Sequence, residues 1–142
     1  MKKVLVPNIC IVTSMTHPEI TSEMELRAIK EIKKYKVAKV FRRHVKGAFE
    51  IPYAISESIS KNKYHSFVAI GCIIKGETPN FDYISSAITN ALVTLSISHK
   101  KPIGNSVLTC LDKKQANERL DKGREAVIAV CDLFSKGVFD AK

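Results

Sequence analysis

The feature that most constrains the fold is a nine-residue apolar run, Ser66–Ile74, which reads SFVAIGCII. Its valine, isoleucine and phenylalanine side chains favour extended structure. A strand that is apolar on both faces belongs in the interior of a parallel sheet that has helices packed on each side. The run therefore predicts an α/β fold.

The rest of the chain alternates between strand-like runs and segments of helical periodicity. The predicted strands are Asn8–Ser14, Val37–His44, Ser66–Ile74 and Ile103–Thr109. The predicted helices are Ile20–Lys36, Ile51–Lys61, Phe81–Ser98, Lys113–Leu120 and Gly123–Phe134. The order βαβαβαβα with short connections predicts a three-layer αβα fold around a four-stranded parallel sheet. Thr21 or Ser22, together with Glu25, predicts the capped start of the first helix.

Length and composition indicate one domain. The 142 residues contain no linker, repeat or low-complexity tract, so we expect a single domain over residues 1–142. No apolar run approaches the ~18 residues of a membrane span. The N-terminal MKKVLVPN has too short an apolar stretch for a secretory signal, so a cytoplasmic protein is expected.

Cysteine spacing and charge exclude two classes of function. The four cysteines are spread singly, without metal-ligand spacing, so we expect buried reduced thiols and no metal site. The net charge is +9, and much of it lies in residues 30–43. A nucleic-acid surface is one interpretation, and a solvated helix face is the other. The second is favoured, because no aromatic residues alternate with the basic run as they do in RNA-binding sheets. We therefore expect no nucleic-acid partner.

The predicted third helix has no charged residue from Tyr83 to Ser98. Its apolar face is formed by Ile84, Ala87, Ile88, Ala91, Leu92 and Leu95. Its outer face is formed by Ser86, Thr89, Asn90, Val93 and Ile97. A solvated helix normally carries charges on its outer face. Another element of the chain or a second subunit must cover this one, and a subunit contact is favoured.

Ligands of such folds bind beyond the carboxyl ends of the strands. The segments at that end are Thr13–His17, Val45–Pro52, Ile74–Phe81 and Thr109–Asp112. In KGAFEIP, Phe49 can stack on a ring and Glu50 can accept hydrogen bonds, although the segment also suits a plain turn into a helix. In KGETPNF, Thr78 suits a helix N-cap and Pro79 the first helical position, which together favour an anion site.

Two further groups of residues have open interpretations. Arg119 and Lys122, on the predicted fourth helix and at its exit, can clamp a phosphate or simply pair with Glu118. The four histidines show no spacing that suggests a catalytic triad and are expected on the surface. Of these, His17 and His44 lie near strand ends.

Taken together, these segments resemble the 6,7-dimethyl-8-ribityllumazine synthase family. The resemblance rests on GAFEIP at 47–52, GCIIKGETPNFDY at 71–83, LT at 108–109, and QANER with KG within 115–123. It covers roughly residues 8–135. It implies a flavodoxin-like sheet, pentamers or multiples of five with active sites between subunits, and a third helix along the pentamer axis.

The resemblance also implies a reaction. It condenses 5-amino-6-(D-ribitylamino)uracil with 3,4-dihydroxy-2-butanone 4-phosphate, through an imine, phosphate elimination and ring closure. The product is 6,7-dimethyl-8-ribityllumazine, the penultimate intermediate of riboflavin biosynthesis, and the enzyme is a transferase. The family uses no metal and no organic cofactor, so none is expected.

The resemblance assigns roles residue by residue. The positions that match the ribityl-uracil contacts are Thr16, Ala48, Phe49, Glu50, Cys72, Ile73, Ile74 and Asn105. The positions that match the phosphate contacts are Glu77, Thr78 and Arg119. The catalytic positions are Asn80 and, close to Arg119, Lys122.

The chain departs from the family pattern at these positions. Asn80 replaces the usual proton-transferring histidine, and an amide cannot titrate. Thr16 and Asn105 stand where aromatic residues are usual, and the connection between Arg119 and Lys122 is several residues short. A non-catalytic paralogue that binds a flavin-pathway ligand, or forms an oligomeric shell, is therefore the alternative function.

Overall fold

In a computed structural model, which describes residues 5–135, four parallel strands form one sheet. The strands are β1 Asn8–Ser14, β2 Lys39–Val45, β3 Ser66–Ile74 and β4 Ile103–Cys110. Their order is β2-β1-β3-β4, and every neighbouring pair is parallel. The expected α/β architecture, with its flavodoxin-like four-stranded sheet, is confirmed. The interpretation of MKKVLVPN rests partly on residues 1–4, which lie outside the described residues.

Helices cover both faces of the sheet. They are α1 Pro18–Ile32, α2 Ile51–Ile59, α3 Asn80–His99, α4 Lys113–Asn117 and α5 Lys122–Ser135, with a 3-10 turn at Ala48–Glu50 before α2. Side chains of α1 and α5 pack on one face, and side chains of α2 and α3 pack on the other. The first seven residues of β3 are buried, which confirms its place in the interior of the sheet.

The first helix differs from its expected bounds for a local reason. His17 adopts a left-handed conformation (φ 58°, ψ 58°), and the helix starts directly after it at Pro18. The His17 carbonyl accepts hydrogen bonds from the N–H groups of Ile20 and Thr21. The expected start near Thr21 or Ser22 is therefore wrong. Glu25 lies inside the helix and is buried.

The third helix starts one residue earlier than expected, at Asn80, and Pro79 is its N-cap. Thr78 is therefore not the N-cap, although its hydroxyl accepts the N–H of Asn80 at 3.4 Å. Only Ile88 and Leu92 of the expected apolar face are buried, and Ala87 is exposed. Within residues 5–135, most of α3 is thus without a covering element.

The described residues contain no helix that is long and apolar enough to cross a membrane. All four cysteines are free and buried, as expected. Among residues 5–135 no cluster of three or more His, Cys, Asp or Glu side chains could hold a metal ion.

Candidate functional site

The loops that follow the strands meet at one end of the sheet. β1 lies between β2 and β3, so its loop lies between theirs. Met15 N–H donates to the Val45 carbonyl at 2.8 Å, and Lys75 N–H donates to the Cys110 carbonyl at 2.9 Å. The carboxyl ends of adjacent strands are therefore held level with one another.

The turn after β2 is closed by a side chain. Gly47 N–H donates to Glu50 Oε1 at 2.9 Å, and Thr16 Oγ1 donates to the Lys46 carbonyl at 3.0 Å. A Cβ at position 47 would lie 2.9 Å from Glu50 Oε1, so a larger residue there would displace this carboxylate from the Gly47 N–H. Glu50 is exposed, and Phe49 is 63% exposed. The turn therefore presents a carboxylate and an aromatic ring to the loop region.

The positions on β3 and at the start of the 3-10 turn are packed rather than open. Ala48 and Cys72 are buried, whereas Ile73 and Ile74 are half-buried. A Cβ at Gly71 would lie 3.4 Å from the Ala48 Cβ, so the turn rests directly on β3. Burial raises the pKa of the Cys72 thiol to about 11. The thiol is therefore neutral at physiological pH and unsuited to nucleophilic attack.

The loop between β3 and α3 is open. Glu77, Thr78 and Asn80 are all exposed, and Thr78 is joined to Asn80 by the hydrogen bond already described. The first N–H groups of a long helix carry a partial positive charge that favours anions. Thr78 and the start of α3 together form an accessible place for an anionic group.

Arg119 and Lys122 lie beside the free edge of β4. They line a cavity of about 270 Å³ together with Asn105, Ser106, Val107, Leu108 and Thr109. Because α4 ends at Asn117, Arg119 follows the helix instead of lying on it. Its guanidinium donates to the Gln115 carbonyl at 3.0 Å and makes no ion pair with Glu118, contrary to one of the two interpretations. The Asn105 side chain accepts the N–H of Val107 at 3.0 Å.

The predicted site residues thus form separate groups within one chain. Thr16 and Glu50 lie together at the turn after β2. Asn105, Arg119 and Lys122 share the cavity beside β4. Within residues 5–135 no hydrogen bond or ion pair joins Arg119 to Glu50 or Thr78. Within the described part of one chain, Arg119 is therefore not joined by a direct polar contact to the groups at Glu50 and Thr78, which we call the two half-sites.

A buried polar network was missed by the sequence reasoning. Glu25 is 3% exposed, and it accepts from Thr13 Oγ1 at 2.8 Å and Arg42 Nη2 at 2.9 Å, with His44 Nε2 at 3.1 Å. Burial favours a higher pKa for Glu25, but these hydrogen bonds together lower the pKa below its usual value. The available signal in the sequence is the position of Glu25 between apolar helix residues, which indicates burial, whereas the capping interpretation places it at the helix start.

Two histidines make polar contacts that the sequence did not indicate. His44 is exposed, as expected, but its ring contacts Glu25. His65 is half-buried, and its ring accepts the Asn8 N–H at 2.8 Å through Nδ1. These contacts join residues 19 and 57 positions apart. No local pattern reveals pairings over such distances in the sequence.

Comparisons with known proteins identify the family of this chain. The sequence profile described as 6,7-dimethyl-8-ribityllumazine synthase matches residues 7–136. Proteins of that name from Thermobifida fusca and Corynebacterium glutamicum are each 33% identical, over 86% and 87% of this chain and 75% and 80% of their own lengths. One from Aliarcobacter butzleri is 39% identical over 63% of this chain, a match that spans only 61% of that relative. The chain belongs to the 6,7-dimethyl-8-ribityllumazine synthase family.

Proposed function

We propose that this chain condenses 5-amino-6-(D-ribitylamino)uracil with 3,4-dihydroxy-2-butanone 4-phosphate to give 6,7-dimethyl-8-ribityllumazine. The observation that carries the proposal is the family match over residues 7–136, whose motif segments lie at the carboxyl ends of the strands or beside β4. Parallel sheets bind ligands at that end. The further proposal of a single domain over residues 1–142 fits the same match.

One half-site holds the ribityl-uracil. Glu50 Oε1 is held by the Gly47 N–H, so the carboxylate is fixed in direction and its other oxygen can accept from substrate N–H or hydroxyl groups. The exposed Phe49 ring offers apolar contact. Because Ala48 and Cys72 are buried, they act through backbone groups and shape. Further contacts come from Thr16, Ile73, Ile74 and Asn105.

The other half-site holds the butanone phosphate. Thr78 and the open start of α3 supply hydroxyl and N–H donors, and Glu77 lies beside them. The Arg119 guanidinium offers a planar fork that matches a phosphate, and Lys122 adds a second positive charge in the same cavity. Hydrogen-bond donors and positive charges on two separate elements can contact a phosphate from two directions.

Positioning supplies most of the rate. Holding two reactants in the right orientation can lower the activation barrier by roughly 7–11 kcal/mol relative to free solution. One acid–base group raises the rate by about 10²–10⁴-fold. The substrate amine forms an imine with the butanone carbonyl. Phosphate then leaves, with its charge stabilised by Arg119 and Lys122, and the second amine closes the ring with loss of water. Asn80 can hydrogen-bond the leaving group but cannot carry the proton.

The proposed assembly is a homopentamer, or a multiple of five, in which Arg119 of one subunit completes the site of its neighbour. Support comes from the half-sites within one chain and from α3, where Tyr83 and Ile97 are each 71% exposed. Burying such a face against neighbours removes apolar surface from water. The proposed compartment is the cytoplasm, where four free thiols stay reduced.

The test is turnover with both substrates, measured by lumazine fluorescence against a blank without protein, since the substrates also react slowly unaided. We expect a rate well above the blank that saturates with each substrate. A rate equal to the blank at every protein concentration contradicts the enzymatic proposal.

The second candidate is a non-catalytic paralogue that binds a flavin-pathway ligand or builds a shell. The observation that favours it is Asn80, an amide at the position where the resemblance implies a proton-transferring imidazole. Binding of the lumazine product without turnover is the result expected of this candidate.

A further inference from the structure

The four histidines differ in what their rings contact. His44 is held by Glu25, and the His65 ring accepts the N–H of Asn8. His99 ends α3, at the opposite end of the sheet from the candidate site. The His17 ring makes no hydrogen bond or ion pair with any residue from 5 to 135, so it is the available imidazole at the carboxyl ends of the strands.

The backbone of His17 is fixed although its ring is free. Its carbonyl accepts from Ile20 N–H at 3.0 Å and Thr21 N–H at 3.1 Å. Its positive φ of 58° is uncommon for a residue other than glycine, and such conformations persist where the surrounding structure imposes them. His17 is half-buried. The fixed backbone therefore sets where the side chain starts, and the ring is left available to a bound substrate.

The position of His17 relates it to both half-sites. Its neighbour Thr16 bonds the Lys46 carbonyl in the turn that carries Glu50. β1 also pairs with β3, whose following loop carries Thr78. Adjacent parallel strands lie about 4.8 Å apart, so the loop that contains His17 lies between the loops proposed to hold the two substrates.

The charged groups around this loop come from several elements. Lys46 and Glu50 lie on the side of β2, and Lys75 and Glu77 lie on the side of β3. Glu19 in the first turn of α1 is paired with Lys113 of α4 at 3.8 Å. The carboxylates and lysines in this set are equal in number. None of them forms an ion pair with the His17 ring, which leaves it able to exchange protons with a substrate.

We propose that His17 is the proton-transfer residue of the condensation, in the role that Asn80 cannot fill; this inference rests on the proposed function. After imine formation, the imidazole takes the proton from the carbon next to the imine carbon. A carbon–carbon double bond forms there as the carbon–oxygen bond to phosphate breaks, and phosphate leaves with the electron pair. The product of this elimination is an enol, and the imidazolium returns its proton to the terminal methylene, which becomes a methyl group as the enol O–H loses its proton and forms a ketone. The second amine then attacks the ketone carbon, and the resulting hydroxyl departs as water with the proton from that amine.

The test variant is His17→Asn, because asparagine tolerates a positive φ and removes the titrating ring. We expect kcat to fall by about 10²-fold or more, as general acid–base catalysis implies, with each KM within about twofold. The parent should show a pH-dependent limb in its rate profile, and the variant should lack it. The matched control is His99→Asn, which should leave kcat and the profile unchanged.

A rescue experiment separates chemistry from structure. His17→Gly keeps the positive φ and opens space, so added imidazole should restore part of kcat in proportion to its concentration. An unchanged kcat and pH profile in His17→Asn overturns the assignment of His17 while the proposed function stands. A parent that binds the lumazine product but shows no rate above the blank overturns both.

Discussion

Helices α1 and α3 cover opposite faces of the same sheet, yet the chain buries them very differently. Seven of the fifteen residues of α1 are buried, whereas two of the twenty residues of α3 are. α1 packs against α5 of its own chain. Among residues 5–135, α3 has no comparably packed neighbour, and Val93 and Ile97 are exposed. The difference teaches that an uncharged outer face, absent from α1, accompanies the helix that the described part of the chain leaves largely uncovered.

The same asymmetry extends to the sheet. On the side of β1 and β2, the buried Glu25 carboxylate is satisfied within the chain by Thr13 and Arg42. On the side of β4, Arg119 and Lys122 line an open cavity. The groups proposed for phosphate binding therefore lie on the incompletely covered side, where a neighbouring subunit would meet them.

The largest expected effect follows a charge on α3. Ala91→Glu should convert a pentamer into smaller species in sedimentation at micromolar protein, because an unpaired buried carboxylate costs several kcal/mol. The matched control is Leu26→Glu on α1, where the parent side chain is 63% exposed and faces solvent. The comparison fails if the parent is a monomer or if both variants assemble as the parent does.

Arg119→Ala tests the open side at its cavity. Loss of a charge-assisted phosphate contact should cost about 1.5–3 kcal/mol, or about 10–150-fold, and weaken the butanone phosphate far more than the ribityl-uracil. Arg27→Ala on α1 is the control. Its exposed pairs with Glu23 and Asp121 are worth little. Equal losses for both substrates would assign Arg119 a structural role instead.

How far the sequence predicts this molecule depends on the range of the interactions. β1 and β3 match their predicted bounds, because a local run of apolar residues is enough to predict a buried strand. The start of α1 was misplaced, because Thr21 and Glu25 mimic a cap while the tertiary structure holds His17 at positive φ. The network of Glu25 could not be predicted, since it joins α1 to β1 and β2.

The site shows the same limit. The motif that contains Glu50 could be located from its residues, because its hydrogen bond to Gly47 spans three positions. The unpaired ring of His17 could not be predicted from the sequence, because it depends on which side chains the fold brings near that ring. The lack of a polar contact between Arg119 and Thr78 is likewise a result of the tertiary structure, since the two residues follow different strands.

Asn80→His tests the first residue of α3. In the His17→Asn background it should raise kcat about tenfold with little change in either KM, because an imidazole near the leaving phosphate can exchange a proton and an amide cannot. The rate should also regain a pH dependence between about 6 and 7.5. No gain in kcat at any pH would show that position 80 lies too far from the reacting atoms.

The smallest expected effect concerns the well-covered side. The pKa of Glu25 is lowered in the folded chain, so its contribution to stability is present above its usual pKa of 4.5 and is lost as pH falls through the lower folded value. Arg42→Met should therefore reduce the free energy of unfolding by about 1 kcal/mol at pH 7, since Arg42 is partly exposed, and by less at pH 3. Urea unfolding at both pH values measures this, and an equal loss at both would exclude the ion pair as the cause.

The bond from Val107 N–H to the Asn105 side chain has a consequence for how copies of this chain can accumulate. β4 forms one border of the sheet, and an unprotected border can recruit strands from other molecules without end. Here the side chain of the strand itself occupies one of the donors that an incoming strand would need. Sheet extension is thereby hindered at this point of β4, and the strand gains some protection against fibril-like growth from its own side chain.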